Sequence, residues 1–176
     1  DSRNPNVKSF NLLDGVARKV EDIYGVHKSY TKYLPQDLLF GSIEERLALL
    51  QGLMDTDGTI DSKGNLSFNT VNEELARQVQ WLVKSLGGYA HYKFKPNNYN
   101  GSYNVYFTLW ELCPFRLQRK VDRWKPTQKY KRGKRVAIKS ITPITDRVVK
   151  SKCIAVASNT KSYLLGNVSV THNTVV

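Results

Sequence analysis

The feature that most constrains this chain is a change of hydrophobic period across residues 55–58. Upstream, Ser42 and Glu45 stand three apart, the spacing at which a cap side chain and a helix carboxylate each take the other's backbone amide. Leu47, Leu50, Leu53 and Met54 then recur at helical spacing as far as Asp55. After Gly58 the period becomes two, and residues 59–61 and 65–69 read as a hairpin turning at Ser62-Lys63-Gly64. The same order repeats. Thr70 and Glu73 form a second capping-box pattern, followed by the apolar stripe Leu75, Val79, Leu82, Val83 and Leu86, which stops at Gly87-Gly88. Residues 89–95 and 102–110 read as strands, and a basic helix is expected over 114–124. Before all of these come a helical pattern over 10–23 ended by Gly25, and an extended Lys32-Tyr33-Leu34-Pro35, since proline biases the preceding residue away from helix. The order predicts an α/β (α+β) domain built on an antiparallel sheet.

Beyond Pro126 the pattern changes. Residues 135–144, 147–157 and 162–171 read as short strands, with no helical pattern among them. This divides the chain into a mixed region 1–125, a basic linker 126–134, an all-β region 135–173 and a tail 174–176. At about 40 residues the all-β region is near the size at which a chain struggles to fold alone. It is expected to complete a larger β-fold whose other part lies outside this chain.

The net charge is +12 over 176 residues, and the excess is concentrated. Between Phe115 and Arg135 the basic side chains Arg116, Arg119, Lys120, Arg123, Lys125, Lys129, Lys131, Arg132, Lys134 and Arg135 face a single acid, Asp122. Such a density draws a polyanion, most commonly nucleic acid, through counterion release; the alternative is a solvated basic linker. Two cysteines, Cys113 and Cys153, make neither a disulfide framework nor a metal-ligand pattern and suit a reducing compartment. No apolar run approaches the roughly 18 residues of a membrane span, and no secretory signal opens the sequence. The expectation is a cytoplasmic protein of a prokaryotic or phage host with no membrane partner.

Two short segments carry chemistry. At the end, His172-Asn173-Thr174 sets an amide that can cyclise onto its own main-chain carbonyl between an imidazole and a hydroxyl. The imidazole can protonate the leaving amine, and the hydroxyl can receive an acyl group. In the middle, Asp55-Thr56-Asp57-Gly58 ends a helix; the residues suit a plain turn, but Asp57 could also hold a divalent cation.

The context of both segments matches known families. Cys153-Ile154-Ala155-Val156, Tyr163-Leu164-Leu165-Gly166 and Val168 through Asn173 resemble the C-terminal splicing motifs of inteins, which carry the Hint β-fold. By that resemblance Asn173 is the last intein residue, His172 the penultimate histidine beside the splice junction and Thr174 the first residue of the following extein. Cys153, where many inteins have an acid, is either a nucleophilic thiol or a buried small side chain. The acid near Ala157 and the histidine near Lys161 found in many relatives are absent. Leu50-Gln51-Gly52-Leu53-Met54-Asp55-Thr56-Asp57-Gly58 resembles the LAGLIDADG signature of homing endonucleases, and the likeness runs to about Trp124. That resemblance implies a catalytic, Mg2+-holding Asp57, a catalytic Lys32 and a DNA-facing sheet. Gly52 allows close helix approach, and Asp55 is a structural hydrogen-bonder. The expected DNA contacts are Lys93, Lys95, Tyr103, Arg116, Arg119, Lys120, Arg123, Lys131 and Arg132.

Together these imply the C-terminal part of a protein-splicing intein with an embedded LAGLIDADG region. Splicing would need no cofactor; DNA cleavage would need Mg2+. The implied partners are an N-terminal intein part, double-stranded DNA and the host extein. One copy of the LAGLIDADG motif is present, whereas cutting both strands needs two. The alternatives are a stand-alone or dimeric LAGLIDADG endonuclease with vestigial splicing, and a splicing element whose endonuclease has decayed. Thr174-Val175-Val176 would suit insertion just before the threonine of a phosphate-binding loop.

Overall fold

The computed structural model describes residues 15–25, 27–126, 140–143, 145–148, 150, 154–157, 159–166 and 168–172. The first helix, α1, spans Val16–Tyr24 and ends at Gly25, whose φ of 75° lies in the left-handed region that glycine reaches without strain. The rest of the expected 10–23 helix, residues 10–14, lies outside the described residues. A single turn, α2 (Gln36–Leu39), leads into α3 (Ile43–Thr56). The Ser42–Glu45 capping box is formed: Glu45 N donates to Ser42 Oγ at 3.2 Å, and Ser42 N to the Glu45 carboxylate at 2.7 Å. Leu50 and Met54 on α3 are fully buried.

At Gly58 the chain turns straight into β1 (Gly58–Ile60), which pairs with β2 (Leu66–Thr70). The carboxylate of Asp61 shapes the turn between them, accepting from the amides of Lys63 and Asn65, both at 2.8 Å. Next come α4 (Glu73–Ser85), β3 (Tyr89–Lys95) and β4 (Ser102–Thr108). All strand pairs are antiparallel, in the spatial order β1-β2-β4-β3. The inner face of this sheet carries Ile60, Leu66, Phe68, Ala90, Val105 and Phe107, all buried against Leu75, Ala76, Val79, Leu82 and Val83 of α4. Each such aliphatic or aromatic burial contributes about 1.5–3 kcal/mol. Arg46 ties the start of α3 to the end of α4 by donating to Ser85 O at 2.9 Å.

Three sequence expectations change. The cap of α4 is Asn72 rather than Thr70: Asn72 Oδ1 accepts from Glu74 N and Leu75 N, while Thr70 stays in the ladder opposite Tyr103. The basic helix expected over 114–124 shrinks to the single turn α5 (Gln118–Val121), because side chains of α3 claim the backbone of the segment before it. Gln51 donates to Cys113 O at 3.0 Å, and Asp55 accepts the amides of Arg116 and Leu117. In the last part of the chain, the described strands are β5 (Ser162–Leu164) and β6 (Val170–His172), an antiparallel hairpin. The described residues within 135–144 and 147–157 form no strand. Ile141 and Val148 there are 84% and 100% exposed, with no described neighbour strand to satisfy their backbone groups. No helix among the described residues is long and apolar enough to cross a membrane.

Candidate nucleic-acid interface

The α3–β1 junction is held from outside the helix. Asp57 closes α3, its N–H donating to Leu53 O at 3.0 Å, and its carboxylate is exposed. No described group donates a hydrogen bond or forms an ion pair to that carboxylate. Asp55, two residues earlier, instead turns back to accept from Arg116 N and Leu117 N at 3.0 and 3.2 Å. The two aspartates therefore differ in kind: one is used by the fold and the other is offered to solvent.

Lys120 completes the junction and overturns its assignment as a DNA contact. The residue is only 7% exposed, and Nζ donates to Met54 O (2.6 Å), Asp55 O (3.0 Å) and Gly58 O (2.7 Å). An ammonium has three protons, so none remains for a phosphate. Met54 O and Asp55 O are carbonyls of the last turn of α3, which lack intrahelical partners and carry the negative end of the helix dipole, while Gly58 O opens β1. Desolvation, with Arg119 nearby, pushes the Lys120 pKa down, opposed by the charges of Asp55 and Asp57.

Opposite the helices, the outer sheet face is polar and follows the strand register. Thr59 faces Ser67, with hydroxyls 2.7 Å apart; Asn69 Nδ2 donates to Asn104 Oδ1 at 2.9 Å; Lys93 pairs with Asn104, and Lys95 with Ser102. His91 lies opposite Tyr106, their rings stacked 5.6 Å apart. A depression of about 480 Å³ runs over this face, lined by Thr59, Ser67, Tyr89, His91, Lys93 and Tyr106. Tyr103, expected on this face, sits on the other one. It shares parity with Val105 and Phe107, and its hydroxyl donates to Glu73 at 3.2 Å. Burial, followed by the Glu73 charge, raises its pKa. Glu73 is itself held below the usual carboxylate range by Arg77, which bonds it at 2.7 Å.

The remaining predicted residues divide as follows. Lys93 and Lys95 are exposed on the outer sheet face; Arg116 is exposed on the segment fastened to α3, Arg119 on α5 and Arg123 just after it. Arg116 is partly engaged, its Nε donating to Gln51 Oε1 at 2.7 Å. Lys32 is exposed on a segment stitched to α4, where Asn72 Nδ2 donates to Lys32 O (2.7 Å) and Tyr30 O (3.0 Å). His172 closes β6 opposite Ser162. Lys131, Arg132, Cys153, Asn173 and Thr174 lie outside the described residues. His91, Tyr106, Asn69 and Asn104 also lie on the outer sheet face, as strand parity relative to Phe68, Val105 and Ala90 indicates.

A lone exposed carboxylate at a helix end suits Mg2+, which commonly takes one or two protein carboxylates and completes its shell with phosphate oxygens and water. Among the described residues no group of three or more His, Cys, Asp or Glu could enclose a metal without such help. A glycine-bearing helix thus ends in an exposed carboxylate beside a four-stranded antiparallel sheet with a polar outer face. Residues 44–140, more than half of the chain, match the LAGLIDADG-like domain family, and the chain belongs to that family. Members are DNA-binding elements, and their endonucleases generally use a divalent metal such as Mg2+. The chain is also 31% identical over 153 residues to a protein named replicative DNA helicase DnaB from Mycobacterium intracellulare. That alignment covers 82% of this chain and 26% of the relative, so the chain spans about a quarter of its length.

Proposed function

We propose that this chain is the C-terminal part of a protein-splicing intein, with a LAGLIDADG half followed by the strands that carry the downstream splice junction. Asp57 is the observation that carries the nuclease side. It is an exposed carboxylate at the tip of α3, whose Gly52 meets nothing within 4 Å of where a side chain would begin. That open face suits a second LAGLIDADG helix, which would bring a second carboxylate to the same place. A bound Mg2+ would supply activation of water and charge neutralisation at the phosphate. Asp57 would hold it, Lys32 would lie near the reacting phosphate, and Lys93, Lys95, Arg116, Arg119 and Arg123 would hold the DNA backbone.

The splicing side rests on the terminal residues and on the helicase relative. A nuclease-type domain is foreign to a helicase, and an intervening element removed from a helicase precursor accounts for both. A junction led by Thr174 would suit a nucleotide-binding loop of the kind such a host needs. At that junction the Asn173 side-chain nitrogen would attack the Asn173 carbonyl carbon, closing a succinimide and breaking the Asn173–Thr174 bond. His172 would protonate the departing Thr174 amine, and Thr174 Oγ1, or first Cys153 Sγ, would have carried the upstream acyl chain. Mixing the chain with its N-terminal complement tests this by the mass of the ligated product. Ligation and cleavage by Asn173→Ala equal to the parent would refute it.

The open Gly52 face favours one further reading, a homodimeric endonuclease. It predicts dimers of this chain alone, with duplex cutting lost in Asp57→Asn.

A further inference from the structure

The buried ammonium of Lys120 bridges carbonyls on both sides of Asp57: Met54 and Asp55 precede it, and Gly58 follows. We propose that Lys120 is a positioning residue for Asp57, closing residues 54–58 into a fixed loop so that the carboxylate stands in place before a cation arrives. The inference rests on the reading of Asp57 as the metal-bearing carboxylate.

The geometry leaves Lys120 little else to do. All three of its protons are engaged, and its side chain lies 5.6 Å from the Phe115 ring centroid, inside the domain. No described carboxylate hydrogen-bonds it, so the cation is held there chiefly by the three carbonyl dipoles, with the charges of Asp55 and Asp57 also favouring it. The segment that delivers Lys120 is itself fastened to α3 by Gln51 and Asp55, so the lysine arrives from a rigid support. Gly58 adds a second constraint: a Cβ there would sit 2.6 Å from Met54 Cα. The loop around Asp57 is thus pinned by a close backbone contact and by one ammonium. Supporting groups of this sort typically change metal affinity by about 10–100-fold when removed.

Electrostatics alone predicts the opposite sign, because a cation near Asp57 repels a second cation. The sign of the effect therefore separates a positioning role from a merely charged neighbour. The test titrates the full 176-residue chain with Mn2+ and follows paramagnetic broadening of the backbone amides of residues 56–58, with 15N-labelled lysine observed in parallel. In the parent chain, local broadening that vanishes in Asp57→Asn establishes the metal site; its absence in the parent overturns that reading, and the inference with it. Given that site, Lys120→Met is expected to bind Mn2+ about tenfold more weakly, with sheet and α4 amides unshifted. Binding that is unchanged or tighter overturns the positioning role and leaves the metal site standing. The parent chain should also show one slowly exchanging lysine ammonium, absent in Lys120→Met. If Lys120→Met fails to fold, this signal decides: lysine ammoniums that all exchange as fast as exposed ones overturn the proposal.

Discussion

Gly52→Ala separates what α3 needs within this chain from what it offers to a partner. Gly52 lies inside the helix, is exposed, and an added Cβ would meet nothing within 4 Å. Within the chain only backbone propensity changes, and alanine in a helix interior is favoured over glycine by about 1 kcal/mol. For a domain of this size that raises the melting temperature by about 2–8 °C. Against a second helix the same methyl fills the closest contact, where overpacking costs about 1–3 kcal/mol. Association with the N-terminal part, or with another copy, should then weaken from about fivefold to more than a hundredfold. Thermal melts of the chain alone and titration against the partner by calorimetry give the two numbers. A variant that is less stable alone, or that associates as tightly as the parent, would refute the assignment of this face.

Three further outcomes follow from the geometry. Lys93→Ala with Lys95→Ala should weaken duplex binding and reduce the salt dependence by nearly two ion equivalents, read from affinities at several salt concentrations, whereas Tyr103→Phe should leave both unchanged. Asn72→Ala should cost about 1 kcal/mol or more by denaturant titration, because the side chain caps α4 and also holds Tyr30 and Lys32. It should also increase hydrogen exchange in residues 30–34. The Glu73–Arg77 pair should support stability with a defined pH sign. The folded-state pKa of Glu73 is depressed, so its contribution is present above the ordinary carboxylate pKa of about 4.3 and is lost as pH falls through the folded value. The gap in melting temperature between the parent and Glu73→Gln should therefore close on acidification from neutral pH.

The sequence carried the frame of the fold because its signals there are local. The Ser42–Glu45 box, the break at Gly58 and the Gly87-Gly88 stop each involve residues within a few positions of one another. Expectations went astray where distant residues decide. Thr70 and Asn72 both have side chains that can cap a helix, and it is the pairing of Thr70 with Tyr103 that leaves the cap to Asn72. Residues 114–117 carry a helical composition, yet Gln51 and Asp55, about 60 positions away, take over backbone groups that a helix would use. Lys120 looked like its basic neighbours because charge is visible in a sequence and a ring of three carbonyls is not. Tyr103 was readable: its parity with Val105 and Phe107 marks the inner face of β4. Asp55 bonds backbone amides, as a structural hydrogen-bonder would, while Asp57 stands exposed at the end of α3.

The proposed splice junction would be operated by Asn173 and supported by His172. Its most direct measurement is the mass spectrum after the chain is mixed with its N-terminal complement, each carrying a distinct flanking peptide. The expected products are a ligated peptide joined through Thr174 and an excised chain ending at residue 173 as a succinimide, one water lighter than the asparagine form, with neither species from Asn173→Ala. Ligation by Asn173→Ala at the parent's rate would contradict it.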